Sequence, residues 1–329
     1  MTEILVTGGA GYIGSTMCKH LKAKGYLPVV IDSLITGHRQ AIKWGPFFEG
    51  SLEDSALLEQ VFSRHRPAAV MHFAASCYVG ESVHKPYQYY RNNVAATINL
   101  LGVMQRHGIS NLIFSSSCAT YGEPEETPMT EKHPQKPINP YGRSKLMVEQ
   151  IIKDMRTAGD LRYISLRYFN AAGADPDGEV GEDHRPETHI IPLVLQTALG
   201  RRDAINIYGD DYPTRDGTCV RDYIHINDLA QAHLLALEKL LNGHPGDIYN
   251  LGNGGGYSVR EVIETARSVT GRPIPVVKAG RRAGDPGELV SASEKARTEL
   301  RWKPQFPDLR DIIATAWEWH RSNPDGYGD

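Results

Sequence analysis

Tyr141 and Lys145, in Tyr141-Gly142-Arg143-Ser144-Lys145, are the residues whose types and spacing most directly suggest chemistry. A helix over 141–156 puts side chains four apart on one face. A phenol is a poor base at its ordinary pKa near ~10. A neighbouring ammonium favours the phenolate and lowers that value. The pair is therefore a device for moving a proton on and off a hydroxyl near neutral pH. Ser117, in Phe114-Ser115-Ser116-Ser117, is placed to bond the same hydroxyl and share the proton. Such spacing also arises by chance on many helices, so the weight rests on the elements that position these groups.

The start of the chain supplies that weight. Ile4-Leu5-Val6-Thr7 is an apolar run that ends in Gly8-Gly9-Ala10-Gly11-Tyr12-Ile13-Gly14. It reads as a buried parallel strand followed by a tight turn. An amphipathic helix, 12–24, follows and stops at Gly25. In this GxxGxxG spacing Gly8 allows the turn, Gly11 lets a pyrophosphate approach the backbone, and Gly14 lets the helix sit against the strand. The helix N-terminus offers free N–H groups and partial positive charge to phosphates. A second apolar run, Pro28-Val29-Val30-Ile31, ends in Asp32. A carboxylate about 20 residues beyond the turn completes a dinucleotide fingerprint. It accepts hydrogen bonds from the adenosine ribose and repels a 2′-phosphate, so NAD is expected rather than NADP. A plain turn residue is the alternative for Asp32. A positively charged nicotinamide beside Tyr141 would lower the phenol further.

Strand and helix go on alternating. Short strands are expected at 47–49, 68–73 and 111–114, with helices at 54–65 and 86–107. Ala74 and Ala75 suit a cofactor lying over the end of the strand before them. The strand at 111–114 delivers Ser115 and Ser117 to its carboxyl end, where ligands bind in open α/β sheets. The fold class is α/β: a doubly wound, mainly parallel Rossmann sheet with a smaller C-terminal α/β substrate-binding domain. The expected division is 1–168 for the NAD-binding domain. Residues 169–329 form mainly the second domain, with some segments returning to the first. Serines, tyrosine–lysine helix and dinucleotide turn then converge on one crevice.

Composition narrows the class. The 329 residues are 40% apolar and 23% charged, which is ordinary for a globular protein. A net charge of -3 gives no reason to expect a nucleic-acid partner. No apolar run is long enough for a bilayer, and the first strand begins too early for a signal peptide. The four cysteines are scattered, which suits a reducing cytoplasm. The 13 histidines form no recognisable ligand motif, and no metal site is assigned.

These blocks resemble the extended short-chain dehydrogenase/reductase superfamily and, within it, the UDP-glucose 4-epimerase (UDP-galactose 4-epimerase) family. The likeness runs from Val6–Ser15 to Asn323–Tyr327 and includes Leu166-Arg167-Tyr168-Phe169-Asn170. Asp210-Asp211-Tyr212-Pro213-Thr214 with Val220-Arg221-Asp222-Tyr223 is its most specific part. The resemblance implies an isomerase that oxidises carbon 4 of a UDP-hexose, turns the 4-keto sugar over, and returns the hydride to the other face. Tyr141 would be the acid/base and Ser117 its assistant. Lys145 would lower the tyrosine pKa and hold the nicotinamide ribose. Cofactor contacts would come from Tyr12, Ile13, Ser33, Ser51, Leu52, Phe73, Asn92 and Phe169, besides those above. Substrate contacts would come from Asn170, His189, Ile190 and Tyr208, the last stacking on uracil. His189 is as well read as a surface histidine, and Tyr208 as a core tyrosine. Arg221 and Arg282 would grip the pyrophosphate by forked hydrogen bonds, and Asp285 the uridine ribose. Leu289 would gate the pocket and leaves use of UDP-N-acetylhexosamines open. A homodimer paired through helices 86–107 and 139–156 is also implied.

The chain departs from the family pattern at three places. Ser51 stands for an aspartate, Cys77 for a lysine and Ala119 for a threonine. A weaker grip on the cofactor is expected, with Cys77 and Cys118 sensitive to oxidation. The alternatives are another NAD-dependent nucleotide-sugar epimerase or dehydratase, or a non-catalytic NAD-binding protein. Dehydration needs an acid and a base beside the serine, and Cys118 and Ala119 serve poorly.

Overall fold

The computed structural model describes residues 1–282 and 285–328. Its centre is a seven-stranded sheet. The first six strands are β1 (Glu3–Thr7), β2 (Leu27–Asp32), β3 (Phe47–Glu49), β4 (Ala69–His72), β5 (Asn111–Ser117) and β6 (Arg162–Tyr168). The seventh is Gly246–Leu251, and the spatial order is Gly246–Leu251, β6, β5, β4, β1, β2, β3. Every pairing in it is parallel. Side chains alternate faces along a strand. Ile4, Val6, Met71, Ile113 and Ile164 therefore enter one core, and Leu5, Val70, Leu112, Phe114 and Tyr163 the other. Each fully buried aliphatic side chain contributes roughly 1.5–3 kcal/mol. Strand β5 runs three residues beyond the expected end, so all three serines lie in it.

The helix that carries Tyr141 spans Pro140–Ala158. Asn139 sets its start by accepting from Gly142 N at 2.8 Å, with Pro140 in the first turn. The helix expected over 86–107 runs on helical backbone from Pro86 to Arg106, but its middle, Tyr90–Ala95, is wound wider, with i to i+5 bonding; a separate short helix, Val79–His84, precedes it. A regular helix would point Asn92 and Asn93 about 100° apart. In the widened turn both face the 74–77 loop. Asn92 Nδ2 donates to Ser76 Oγ at 3.0 Å, and Asn93 Oδ1 accepts from Ser76 N at 2.8 Å.

The second half has its own core of Ile191, Val194, Leu195, Val262 and Ile312. Its strands are short: Asn170–Ala172 pairs with Tyr223–His225, and Ile205–Tyr208 with Val276–Ala279. Val220–Arg221 lies between Tyr257–Ser258 and Glu288–Leu289. The helix Ile226–Leu241 packs back against the central sheet, sharing a core with Met17 and Leu21 of the helix Tyr12–Ala23. Among the described residues, no helix is long and apolar enough to cross a membrane.

Candidate active site

A cavity of about 1320 Å³ opens at the carboxyl ends of β1, β2, β4, β5 and β6. Sites for one small ligand run to roughly 300–1,000 Å³, so this one has room for two. Its floor is the glycine turn. Gly8 has φ +75°, and a Cβ there would meet Ala74 N at 2.6 Å. A Cβ on Gly14 would meet Gly8 O at 2.1 Å, so the helix can approach β1 only without one. A Cβ on Gly11 would meet only Gly8 O, at 3.4 Å, and otherwise points into open space. That leaves the start of Tyr12–Ala23 clear for a pyrophosphate. Asp32, at the end of β2, accepts from Ala10 N and Leu34 N, each at 2.9 Å. Each carboxylate oxygen keeps a lone pair for a ribose hydroxyl. These features fit NAD.

Tyr12, Ile13, Asp32 and Ser33 line one end of the cavity, with Ser51 and Leu52 beyond them. Phe73, Ala74 and Ala75 after β4, with Asn92 and Ser115, line the middle. Phe169 and Asn170 follow from the end of β6. Arg221, Arg282, Asp285 and Leu289 line the cavity from the second half, as do His189 and Ile190, whose loop reaches back toward Tyr12. Tyr208 is not in the wall. Ile205 and Ile207 turn into the second core, so Tyr208 and Asn206 face the other way. One face of the Tyr208 ring lies under the guanidinium of Arg282, a cavity-lining residue, 3.8 Å from its centroid.

Ser117, Tyr141 and Lys145 meet between the two ends. Burial holds the Tyr141 phenol well above its ordinary pKa, and hydrogen bonding with Ser117 pulls it back in part. Ser117 Oγ accepts from Ala119 N at 3.1 Å. Lys145 shares a helix face with Tyr141, as its spacing suggested. Its Nζ lies 6.0 Å from the Tyr141 ring centroid and donates to Ser115 O at 2.8 Å. Burial lowers its own pKa to about 8. The Cys118 thiol is pushed up to about 12 by burial, which leaves little thiolate to oxidise; Cys77 is the exposed one of the pair.

Two supports escaped the sequence reading. Glu149, two turns beyond Tyr141, is buried with Arg167, which donates to it through Nε at 2.9 Å and Nη2 at 2.6 Å. Ser116 Oγ and Gln135 Nε2 donate to the same carboxylate, at 2.5 and 2.9 Å. This network ties the tyrosine helix to β5 and β6. Asp222, fully buried, accepts from Asn253 N, Gly254 N and Ser291 N. It thereby fixes the backbone beside Arg221. Arg221 itself is paired with Asp285.

A glycine-turn α/β sheet with a buried serine–tyrosine–lysine set at its carboxyl edge defines an NAD-dependent enzyme that moves a proton and a hydride. The chain belongs to the NAD dependent epimerase/dehydratase family, which it matches over residues 4–252, and within it to the UDP-glucose 4-epimerases. It is 54% identical to the UDP-glucose 4-epimerase of Streptococcus mutans, covering 99% of each chain. It is 53% identical to that of Rhizobium leguminosarum bv. trifolii, covering 96% of this chain and 97% of the relative. The crystal structure of UDP-glucose 4-epimerase from Brucella ovis in complex with NAD superposes with a TM-score of 0.94. That pair is 51% identical, over 97% of this chain and 98% of the other.

Proposed function

We propose that this protein interconverts UDP-galactose and UDP-glucose. The observation that carries the reading is the meeting of Ser117 and Tyr141 halfway along one cavity, with the dinucleotide turn at one end and Arg221, Arg282 and Asp285 at the other. NAD, when bound, supplies the hydride acceptor and donor for sugar carbon 4, and its positive ring adds charge beside Tyr141. Tyr141 takes the proton of the 4-hydroxyl and later returns it, with Ser117 bridging phenol and sugar. Lys145 holds the cofactor ribose. Arg221 and Arg282 hold the pyrophosphate, and Asp285 the uridine ribose. Binding energy then comes from the part of the substrate that does not react, while the sugar turns over near Tyr141. Asn170 and Ile190 complete the substrate wall. Residues 1–168 serve the cofactor, and 169–329 mainly the UDP-sugar. The purified protein mixed with UDP-galactose, with no NAD added, is expected to yield UDP-glucose; no product even with NAD present would refute the reading.

Asp32 sets the cofactor. Titration of the unloaded protein should show NADP binding at least about 100-fold more weakly than NAD, since a 2′-phosphate faces a carboxylate at close range. Asp32→Ser should narrow that gap to less than about tenfold. Leu289 sets the sugar. It packs beside Phe169 and Met129 on the strand next to Arg221. The wild type should turn over UDP-N-acetylgalactosamine measurably, and Leu289→Tyr should lower that rate at least tenfold relative to UDP-galactose.

The assembly we propose is a homodimer. Val83, Tyr87, Ile98 and Met147 are exposed on the Val79–Arg106 and Pro140–Ala158 segments. Pairing these segments from two copies into a four-helix bundle would cover them. The four unpaired cysteines suit a reducing cytoplasm.

A further inference from the structure

We infer that Glu182, His184, Glu187 and His189 form a structural site for one divalent transition-metal ion of the zinc type. The four lie in the loop that leads into the helix Ile190–Ala198 and forms part of the cavity wall. Each offers one donor atom, and all four atoms lie within 4.8 Å of one another. Glu182 Oε1 is 3.1 Å from His184 Nδ1 and 2.5 Å from His189 Nδ1. Glu187 carboxylate oxygens are 3.7 Å from each of the same two nitrogens. A tetrahedral zinc with bonds of about 2.0–2.1 Å holds its ligands about 3.3–3.4 Å apart. The four glutamate–histidine separations lie within about 1 Å of that edge, and no pair of donors is more than 4.8 Å apart.

The chemistry of the cluster points the same way. Glu182 and Glu187 have side chains only 4% and 5% exposed. Two desolvated carboxylates at this spacing need positive charge between them. Among the described residues, no lysine or arginine supplies it. A second cluster in the same half shows the contrast. Asp175, Asp177 and Glu179 surround the Lys19 ammonium at 2.7, 2.6 and 2.8 Å, so the chain carries its own cation there. At Glu182 and Glu187 the partners are two imidazoles, which these carboxylates push toward the charged form against the effect of burial; one divalent ion would take the place of their two protons. His184 Nδ1 is buried and makes no hydrogen bond, although a carboxylate oxygen lies beside it. One divalent ion with two neutral imidazoles and two carboxylates is electrically neutral. Two nitrogens and two oxygens suit zinc rather than magnesium or calcium, which take oxygen.

The surroundings are built as an outer shell. Thr188 N and His189 N donate to Glu187 Oε1 at 2.7 and 2.8 Å, which aims its other oxygen. The His184 ring meets Tyr12 and Tyr78 edge-on, with centroids 6.4 and 5.9 Å away. An ion here closes the 182–189 loop into a ring and braces it against the first residue of the nucleotide helix. Four protein ligands leave no open position, so the ion would hold structure and not react.

The test uses the full chain, stripped with a chelator and then titrated with Co2+. Visible d–d absorption of four-coordinate cobalt is expected, saturating at about one ion per chain and erased by Zn2+. Zn2+ should raise Tm of the stripped protein by several degrees. Both signals should disappear in Glu187→Gln; should that variant not fold, His184→Asn is read in the same way. No absorption at one equivalent with Tm unchanged would overturn the site. So would an equal response in the variants, which would mean adventitious surface binding. No readout uses turnover, so the result stands apart from the sugar chemistry.

Discussion

Tyr141→Phe is expected to lower turnover by about 10²–10⁴-fold, the usual contribution of a positioned acid or base. That corresponds to about 2.7–5.4 kcal/mol of barrier. The change removes one oxygen from a buried site and leaves the ring. Folding, NAD content and KM for UDP-galactose should therefore stay within a few-fold of the wild type. Steady-state rates with cofactor content measured on the same samples check this. A variant that keeps more than about a tenth of the rate would show that another group moves the proton. The geometry explains why the loss should be large. The phenol is buried beside Ser117, and Lys145 is bonded to a backbone carbonyl 2.8 Å away, so neither neighbour is placed to take over its proton.

Glu149→Leu should cost about 3–5 kcal/mol of folding stability, because it leaves the Arg167 guanidinium buried without its partner. Urea unfolding at neutral pH measures it. The double change Glu149→Leu with Arg167→Met should recover much of the loss, since no charge is then stranded. Turnover should fall in the single variant too. Ser116 loses its acceptor, and Ser117 is the next residue along β5. A loss under about 1 kcal/mol would mean that water reaches the guanidinium and the network is not the tie described.

How far these features were readable from the chain depends on whether they are local. The strand, glycine turn and helix of 4–24 are, since φ and close approach are fixed within a few residues, and Gly8, Gly11 and Gly14 hold their expected places. Asp32 and Tyr141 likewise follow from strand ends and helical spacing. The Glu149–Arg167 tie was not readable, because two charges 18 apart look like solvated surface until the helix folds over β5 and β6. The pairing of Tyr208 with Arg282 was not readable, because 74 residues separate them and only the fold brings the guanidinium over the ring. The helix at 86–107 was readable, but not its wider winding at Tyr90–Ala95, because the apolar pattern persists through that stretch. Arg221 and Asp285 were given separate ligand roles, whereas without a ligand each satisfies the other. The metal-type cluster hid for a similar reason: its spacing, Glu182-x-His184-x-x-Glu187-x-His189, matches no common motif, and only the loop's path closes it.

UDP-galactose carrying deuterium at carbon 4 gives the most direct test of the central claim, that hydrogen leaves and returns within one closed site while Tyr141 handles only the proton. Converted in ordinary water by the protein as purified, it should give UDP-glucose with essentially all the deuterium still on carbon 4. Loss of the label to solvent during conversion would contradict the account.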